Sequence, residues 1–347
     1  VTASTRIAIN GFGRIGRNVV RALAGRDEPV ELVAVNDRGS IDTLAHLLEF
    51  DSVHRRFPVP VRANGNCLLV GSTVIRVLAE PEPDRLPWGD LGVDIVIECT
   101  GRFTAREDAR RHLEAGAARV VISAPAAGAD VTVCVGVNDG AFDPATHAVI
   151  SNASCTTNCL APMAMVLDDA FGLLAGMVTT VHAYTNDQNL LDLPHADLRR
   201  ARAAALNIVP ASTGAARAIG LVLPHLAGRL DGLALRVPVP DGSITDLVCT
   251  LESMPTRREV NEAFAAAALA LPGIVEYAER PLVSGDILGN PHSCVFSSVD
   301  TLVGRDHVKV LGWYDNEWGY ANRLVDLVAL VGERSALASG AGSYFPT

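Results

Sequence analysis

The sequence contains no apolar run near the ~18 residues that a membrane-spanning helix requires. Its closest stretch, Ala263 to Pro272, is alanine-rich and too short, so no membrane role is expected. Positive charge is also scarce. Lys and Arg total 29 against 39 Asp and Glu, a net charge of −10. That sign repels a polyphosphate backbone, so nucleic acid is not an expected partner, although clustered arginines can still hold small anions. Paired cysteines are lacking as well. The seven cysteines, at 67, 99, 134, 155, 159, 249 and 294, are odd in number and widely scattered. This argues against a disulfide framework and for a reducing compartment. Cys155 and Cys159 have no companion pair at zinc-like spacing, and no metal site is expected. The opening Val-Thr-Ala-Ser-Thr-Arg shows no signal-peptide pattern, and a cytoplasmic location is the expectation. There is no internal repeat, and no low-complexity segment longer than the alanine run.

What is present is ordinary globular composition, 49% hydrophobic and 20% charged over 347 residues, a length that suggests two domains. The first half alternates strand and helix. Arg6 to Asn10 reads as a buried strand, Gly11 to Gly16 as a turn, Arg17 to Ala24 as a helix and Val30 to Asp37 as a second strand. A strand–turn–helix–strand unit of this length requires parallel pairing. Val93 to Glu98, Ala105 to Ala115 and Arg119 to Ser123 repeat the pattern as strand, helix and strand. The expected class is α/β, with a Rossmann-type doubly wound parallel sheet over residues 1–154. Past Ser151 the texture changes. A helix is expected from Cys155 to Ala170, then strand-like runs at Met177–Ala183, Leu233–Val237, Ile244–Leu251, Cys294–Ser298 and Val308–Tyr314, with helices near Ser212–Leu223 and Arg257–Leu269. Residues 155–318 are therefore expected to form an α+β domain on a mostly antiparallel sheet. A last helix, 319–335, is expected to pack back on the first domain. The tail from Ser335 to Thr347 is rich in Gly, Ala and Ser and has no cysteine pair or acidic run.

Gly11-x-Gly13-x-x-Gly16 is weak as a bare motif. Here it follows a strand, opens a helix, and precedes Asp37 by 21 residues counted from Gly16. In that context the glycines let backbone N–H groups approach a pyrophosphate at a helix N-terminus, and Asp37 can accept from an adenosine ribose. The carboxylate favours NAD over NADP, while Arg38 beside it could turn toward a 2′-phosphate. The alternative is a tight turn that binds nothing. Farther on, Ser151 to Cys159 places Cys155 in the first turn of a helix, where unpaired N–H groups should lower its pKa and can hold an oxyanion. His182, 27 residues on, ends a strand-like run. A thiol and imidazole within reach form an activated nucleophile. On the residues alone, Cys155 also reads as a buried structural cysteine, and Cys159 as a packed helix residue.

The whole chain resembles the phosphorylating glyceraldehyde-3-phosphate dehydrogenases. The resemblance rests on Asn10 to Arg17, Ser151 to Asn158, Asp192 to His195, Asp197 to Ala204, Ser212 to Ala216, Leu235 to Pro238 and Trp313 to Tyr320. It implies an NAD-dependent homotetramer that converts glyceraldehyde 3-phosphate and inorganic phosphate to 1,3-bisphosphoglycerate through a Cys155 thiohemiacetal and thioester, with His182 as base. It further implies that Thr185, Arg199 and Arg236 hold the substrate phosphate. Ser154, Thr156, Thr213 and Gly214 would hold the attacking phosphate, with Arg236 near both. Arginines and hydroxyls suit this because they donate to phosphate oxygens. For Arg200 and Arg202 a solvated or subunit-facing cluster is an equal reading. Cofactor contacts implied are Gly11, Gly13, Arg14, Ile15, Gly16, Asp37, Thr100, Gly101, Ser123, Asn316 and Tyr320, with Leu193 and Pro194 in a loop that reaches a neighbouring subunit's adenosine.

Four positions depart from the commonest family pattern: Arg55 where Gly is usual, Arg102 after Thr100-Gly101, Ala127 where Lys is frequent, and Val239 where Thr is frequent. Two other readings are open. One is the sister enzyme oxidising erythrose 4-phosphate, against which Thr185 argues. The other is an NAD-binding redox sensor with Cys155 as an oxidisable thiol.

Overall fold

The computed structural model describes residues 4–341. The chain forms two compact units. One comprises the residues up to Val133, Asp139–Ala153 and the chain from Ala321 on; the other comprises Cys134–Asn138 and Ser154–Tyr320. The end of the tail, 342–347, lies outside the described residues.

The first unit is built on a nine-stranded sheet. Its order is Val131–Thr132, Val149–Ser151, Arg119–Ile122, Ile95–Glu98, Thr5–Asn10, Val30–Asn36, Thr73–Leu78, Cys67–Val70 and Val61–Asn64. The first seven pair in parallel, and the last two add an antiparallel edge. Ile7, Ile9, Val96, Ile97 and Val121 are inaccessible to solvent, as parallel strands covered on both faces must be. Chain order reverses between Thr5–Asn10 and Ile95–Glu98, and in open α/β sheets ligands bind outside the carboxyl ends of strands at such a point. The helix after the first strand runs Arg14–Ala24, three residues earlier than its apolar periodicity suggests. Buried Arg21 ties this helix to a small hairpin, Phe50–Asp51 with Arg55–Arg56, by donating to the carbonyls of Leu48 and Arg55 at 2.7 and 3.1 Å. The helix expected over Ala105 to Ala115 is two single turns, Arg106–Ala109 and Arg111–Glu114, interrupted at Arg110. The last helix, Trp318–Ala341, is longer at both ends than the 319–335 expected. Its Val325, Leu327, Val328 and Val331 are fully buried, and the helix runs on past them to Ala341.

The second unit's sheet runs Val209–Ser212, Leu230–Val237, Leu173–Ala183, Ser243–Leu251, Val308–Tyr314, Cys294–Ser297 and Val275–Ala278, with Leu302–Val303 beside Val308–Tyr314. Most pairs are antiparallel; Leu173–Ala183 with Leu230–Val237 and Val275–Ala278 with Cys294–Ser297 are parallel. Alternate residues of Ser243–Leu251 are buried, and the Cys155–Phe171 helix packs on this sheet. Lys309, the sole lysine of the sequence, pairs with Asp246 across two neighbouring strands at 2.6 Å.

Candidate active site

Ser154 caps the Cys155–Phe171 helix by accepting from Thr157 N at 3.0 Å, which places Cys155 at the first helical position. His182 lies near the end of the longest strand, in direct register with Arg236 on the parallel neighbour. Register alone thus brings the imidazole and guanidinium together. Cys155 Sγ stands 3.4 Å from His182 Nε2. His182 Nδ1 has two neighbours of opposite kind: Ala183 O at 2.7 Å, which can only accept, and Arg236 Nη1 at 2.8 Å, which can only donate. The first favours a proton on Nδ1 and leaves Nε2 free to take the thiol proton. The second favours a proton on Nε2, facing sulfur. The same ring is therefore supported as base and as acid.

The expectation of a lowered thiol pKa is not met. Burial pushes Cys155 up to about 11; the nearby Arg236 charge and the hydrogen bonds of Thr156 oppose this, and Asp241 adds to it. Desolvation outweighs the helix N-terminus here, and His182 Nε2, 3.4 Å away, is the neighbour placed to accept the thiol proton.

Arg236 Nη1 also donates to Thr185 Oγ1 at 3.3 Å. The Thr185 hydroxyl donates to Asp187, and Arg200 forms an ion pair with the same carboxylate. Although Asp187 is partly buried, the Thr185 hydroxyl and the charges of Arg236 and Arg200 hold its pKa below the usual carboxylate range. Arg199, by contrast, is exposed, and its side chain joins none of these bonds. Arg202 pairs with Asp192 at 3.0 Å. Thr156 Oγ1 and Thr180 Oγ1 each lie 2.8 Å from Tyr314 Oη, so a buried phenol fixes the residue after Cys155. Thr213 Oγ1 accepts from Ala215 N at the start of the Ala215–Val222 helix, which packs against the Cys155–Phe171 helix. Gly214, exposed, has nothing within 4 Å of where a Cβ would stand. Asn316 is buried and accepts from Ser243 Oγ at 2.6 Å; Ser243 Oγ also accepts from Ala183 N at 3.1 Å. Tyr320 is buried.

Asp187, Ser243 and Tyr314 escaped the sequence reading, and Arg200, for which a solvated cluster was an equal reading, joins the network through Asp187. Asp187 sits two residues from Thr185, and that spacing was a signal. Ser243 and Tyr314 come from distant strands and left none.

In the first unit the glycines meet the demands of a dinucleotide turn. Gly11 has φ +92°, and a Cβ there would stand 2.7 Å from Thr100 N. A Cβ on Gly16 would strike Gly11 O, whereas one on exposed Gly13 would meet nothing within 4 Å. The tight positions pack strand, turn and helix, and the open one lets a ligand approach the backbone. No side chain caps the Arg14–Ala24 helix, and no acidic residue occupies its first turn, so its positive end suits a phosphate. Arg14 and Ile15 are half-buried at that end. Asp37 directly follows the second strand, which ends at Asn36, one residue earlier than expected; its two oxygens accept from Phe12 N and Gly39 N, each at 2.9 Å, leaving lone pairs for ribose hydroxyls. Arg38 and Arg102 are exposed. Thr100, Gly101 (φ +69°) and Ser123 line the carboxyl ends of the next strands. These residues fit NAD.

A family profile described as "Glyceraldehyde 3-phosphate dehydrogenase, NAD binding domain" matches residues 5–106, and one described as "Glyceraldehyde 3-phosphate dehydrogenase, C-terminal domain" matches residues 154–316. The chain belongs to the glyceraldehyde-3-phosphate dehydrogenase family. It is 62% identical over 330 residues to glyceraldehyde-3-phosphate dehydrogenase 2 of Streptomyces arenae, covering 95% of this chain and 99% of that protein. It is 60% identical over 331 residues to glyceraldehyde-3-phosphate dehydrogenase 1 of Streptomyces avermitilis, with the same coverage. The Mycobacterium bovis glyceraldehyde-3-phosphate dehydrogenase is 58% identical over 337 residues, again covering 95% and 99%. Membership accounts for both halves of the fold: a dinucleotide-binding sheet in one unit and a thiol–imidazole pair in the other.

Proposed function

We propose that the chain oxidises glyceraldehyde 3-phosphate with NAD and inorganic phosphate to give 1,3-bisphosphoglycerate. The carrying observation is Cys155 Sγ at 3.4 Å from His182 Nε2, with Arg236 in register beside the base. Sγ attacks the aldehyde carbon as its proton passes to His182, and His182 returns that proton to the developing oxyanion, giving a thiohemiacetal and a neutral imidazole. His182 then takes the hydroxyl proton while the carbon becomes a thioester. NAD supplies the hydride acceptor. Inorganic phosphate attacks the thioester carbon, and the sulfur leaves as thiolate beside His182 with the acyl phosphate released. Arg236 and Thr185 are suited to the substrate phosphate. Ser154, Thr156, Thr213 and Gly214 suit the incoming phosphate, and Arg200 acts through Asp187 to orient Thr185. Asn316 and Tyr320 complete the cofactor contacts with Arg14, Ile15, Asp37, Thr100, Gly101 and Ser123.

A homotetramer in the cytoplasm belongs to this reading. Leu190, Leu191, Leu193, Leu198, Leu206 and Ile208 are all exposed in one stretch of chain, as an apolar surface awaiting further copies would be. All seven cysteines are unpaired, which suits a reducing compartment. Among the described residues no helix is long and apolar enough to cross a membrane.

The test is the initial rate of NADH formation from glyceraldehyde 3-phosphate with and without inorganic phosphate. The rate should require phosphate, and Cys155→Ser should abolish it while leaving NAD affinity within about twofold. Turnover retained in Cys155→Ser would refute the assignment.

A further inference from the structure

The floor of the nucleotide-binding crevice holds an ionisable cluster that the chemistry above does not use. Glu98, the last residue of its strand, is 1% exposed, and His112 is 0% exposed. Glu98 pairs in register with Asn10, the last residue of the neighbouring strand, at the point where the sheet's chain order reverses. Groups that can only donate fix the protons here. Trp88 Nε1 donates to His112 Nδ1 at 2.9 Å, so Nδ1 carries a lone pair and the ring proton lies on Nε2, directed at Glu98 Oε2 at 3.2 Å. From the other side, Glu80 N donates to Asn36 Oδ1 at 2.9 Å. Asn36 Nδ2 therefore donates to Asn10 Oδ1 at 2.7 Å, and Asn10 Nδ2 to Glu98 Oε2 at 2.6 Å. The 3.4 Å approach of Asn10 Nδ2 to His112 Nε2 is then a contact between two donors that share one carboxylate. Thr100 N donates to Glu98 Oε1 at 2.7 Å, and the Thr100 hydroxyl donates to the same oxygen while accepting from Arg102 N at 3.1 Å. Everything around Glu98 gives it hydrogen bonds. It is a carboxylate beside a neutral histidine, and the cluster holds a full negative charge out of water.

We infer that Glu98, with its proton geometry set by Trp88 and His112, is a positioning residue that makes the crevice distinguish the oxidised from the reduced dinucleotide. This rests on the NAD-binding reading of the unit. The two cofactor forms share their adenosine, phosphates and riboses, so interactions with those parts cancel in the ratio of affinities. The nicotinamide ring is cationic in one form and neutral in the other, and a fixed carboxylate under the Gly11 and Thr100 turns does not cancel. Glu98 therefore does two things: it pins the Thr100 turn against the Gly11 turn, and it shifts the balance toward NAD.

The test is Glu98→Gln in the full chain, freed of cofactor and titrated separately with NAD by calorimetry and with NADH by fluorescence. The dissociation constant for NAD should rise roughly three- to tenfold more than that for NADH, the scale of one partly screened charge interaction. Equal changes in both would overturn the inference and leave Glu98 a structural support. A wild-type chain that binds neither form would instead sink the NAD reading itself. Because the introduced amide directs an N–H at the donors of Asn10 and His112, the single variant can misfold. Adding Trp88→Phe lets His112 move its proton to Nδ1 and accept on Nε2, and the double variant then serves for the same titrations. A further measurement needs no variant that folds poorly. Nitrogen-15 spectra of the wild-type histidines should show His112 with its proton on Nε2 and a lone pair on Nδ1, the tautomer that the Trp88 donor imposes. The groups facing that ring are Glu98, Asn10, Trp88 and the edge of Phe103, whose ring centre is 6.5 Å away. A doubly protonated His112 at pH 7 would neutralise the cluster and overturn the inference.

Discussion

At Cys155 burial and charge pull in opposite directions, and burial wins: the thiol rises to about 11 despite Arg236 and the Thr156 hydrogen bonds. A group with a raised pKa keeps its proton until the pH passes that value, so Cys155 standing alone would be protonated at neutral pH. Its reactivity there depends on His182, 3.4 Å away. In His182→Asn, alkylation by iodoacetamide should therefore slow at pH 7 by at least about tenfold and then climb about tenfold per pH unit toward pH 11. Wild-type alkylation should level off earlier. Identical pH profiles for the two would show that the imidazole does not activate the thiol. At this scale the sequence was most legible where the proposed chemistry lies in residue type and near neighbours: the glycines, Asp37, Cys155 and His182. It was illegible where one side chain acts on another across strands. Trp88 and Glu98 lie 24 and 14 residues before His112 in the chain, and a loop, a strand end and a helical turn bring the three together only in the folded unit.

Secondary-structure elements aim these groups. Parallel pairing of Leu173–Ala183 with Leu230–Val237 sets Arg236 beside His182, and the cap at Ser154 starts the helix that carries Cys155. Strand cores were legible because apolar runs mark them, whereas their ends were not: the Met177–Ala183 run is the second part of a strand beginning at Leu173. Arg55 illustrates local strain. It adopts φ 65° in the hairpin held by Arg21, a conformation that suits glycine, and its side chain is exposed. The carbonyl, which accepts from Arg21, would be unchanged in Arg55→Gly. That variant should gain about 0.5–1 kcal/mol, read from the urea midpoint. A loss would mean that the arginine side chain offsets the strain with contacts of its own.

For the molecule as a whole, stability should carry the mark of one buried acid. Burial, and then Asp315 beside it, push Asp241 up to about 10, so the folded chain keeps a proton there that the unfolded chain releases near pH 4. The stabilisation linked to that proton is complete below about pH 4 and is lost progressively as pH rises to about 10. Asp241→Asn keeps an oxygen for Gly242 N and presents a permanent donor to Asp315. Its melting temperature should exceed that of the wild type at pH 8–9, with the gap closing on acidification toward pH 4. A gap independent of pH would remove Asp241 from the explanation. The division into two units follows the change in sequence texture near Ser151, yet Cys134–Asn138 joins the second unit by a return of the chain that no local pattern announces. Finally, almost all the positive charge of this molecule is guanidinium. Lys309, paired with Asp246 at the half-exposed middle of the antiparallel sheet, is the one ε-amine. To acylating reagents, aldehydes and amine cross-linkers, the side chains therefore present a single address, and a tag placed there reports from one known point of the second unit.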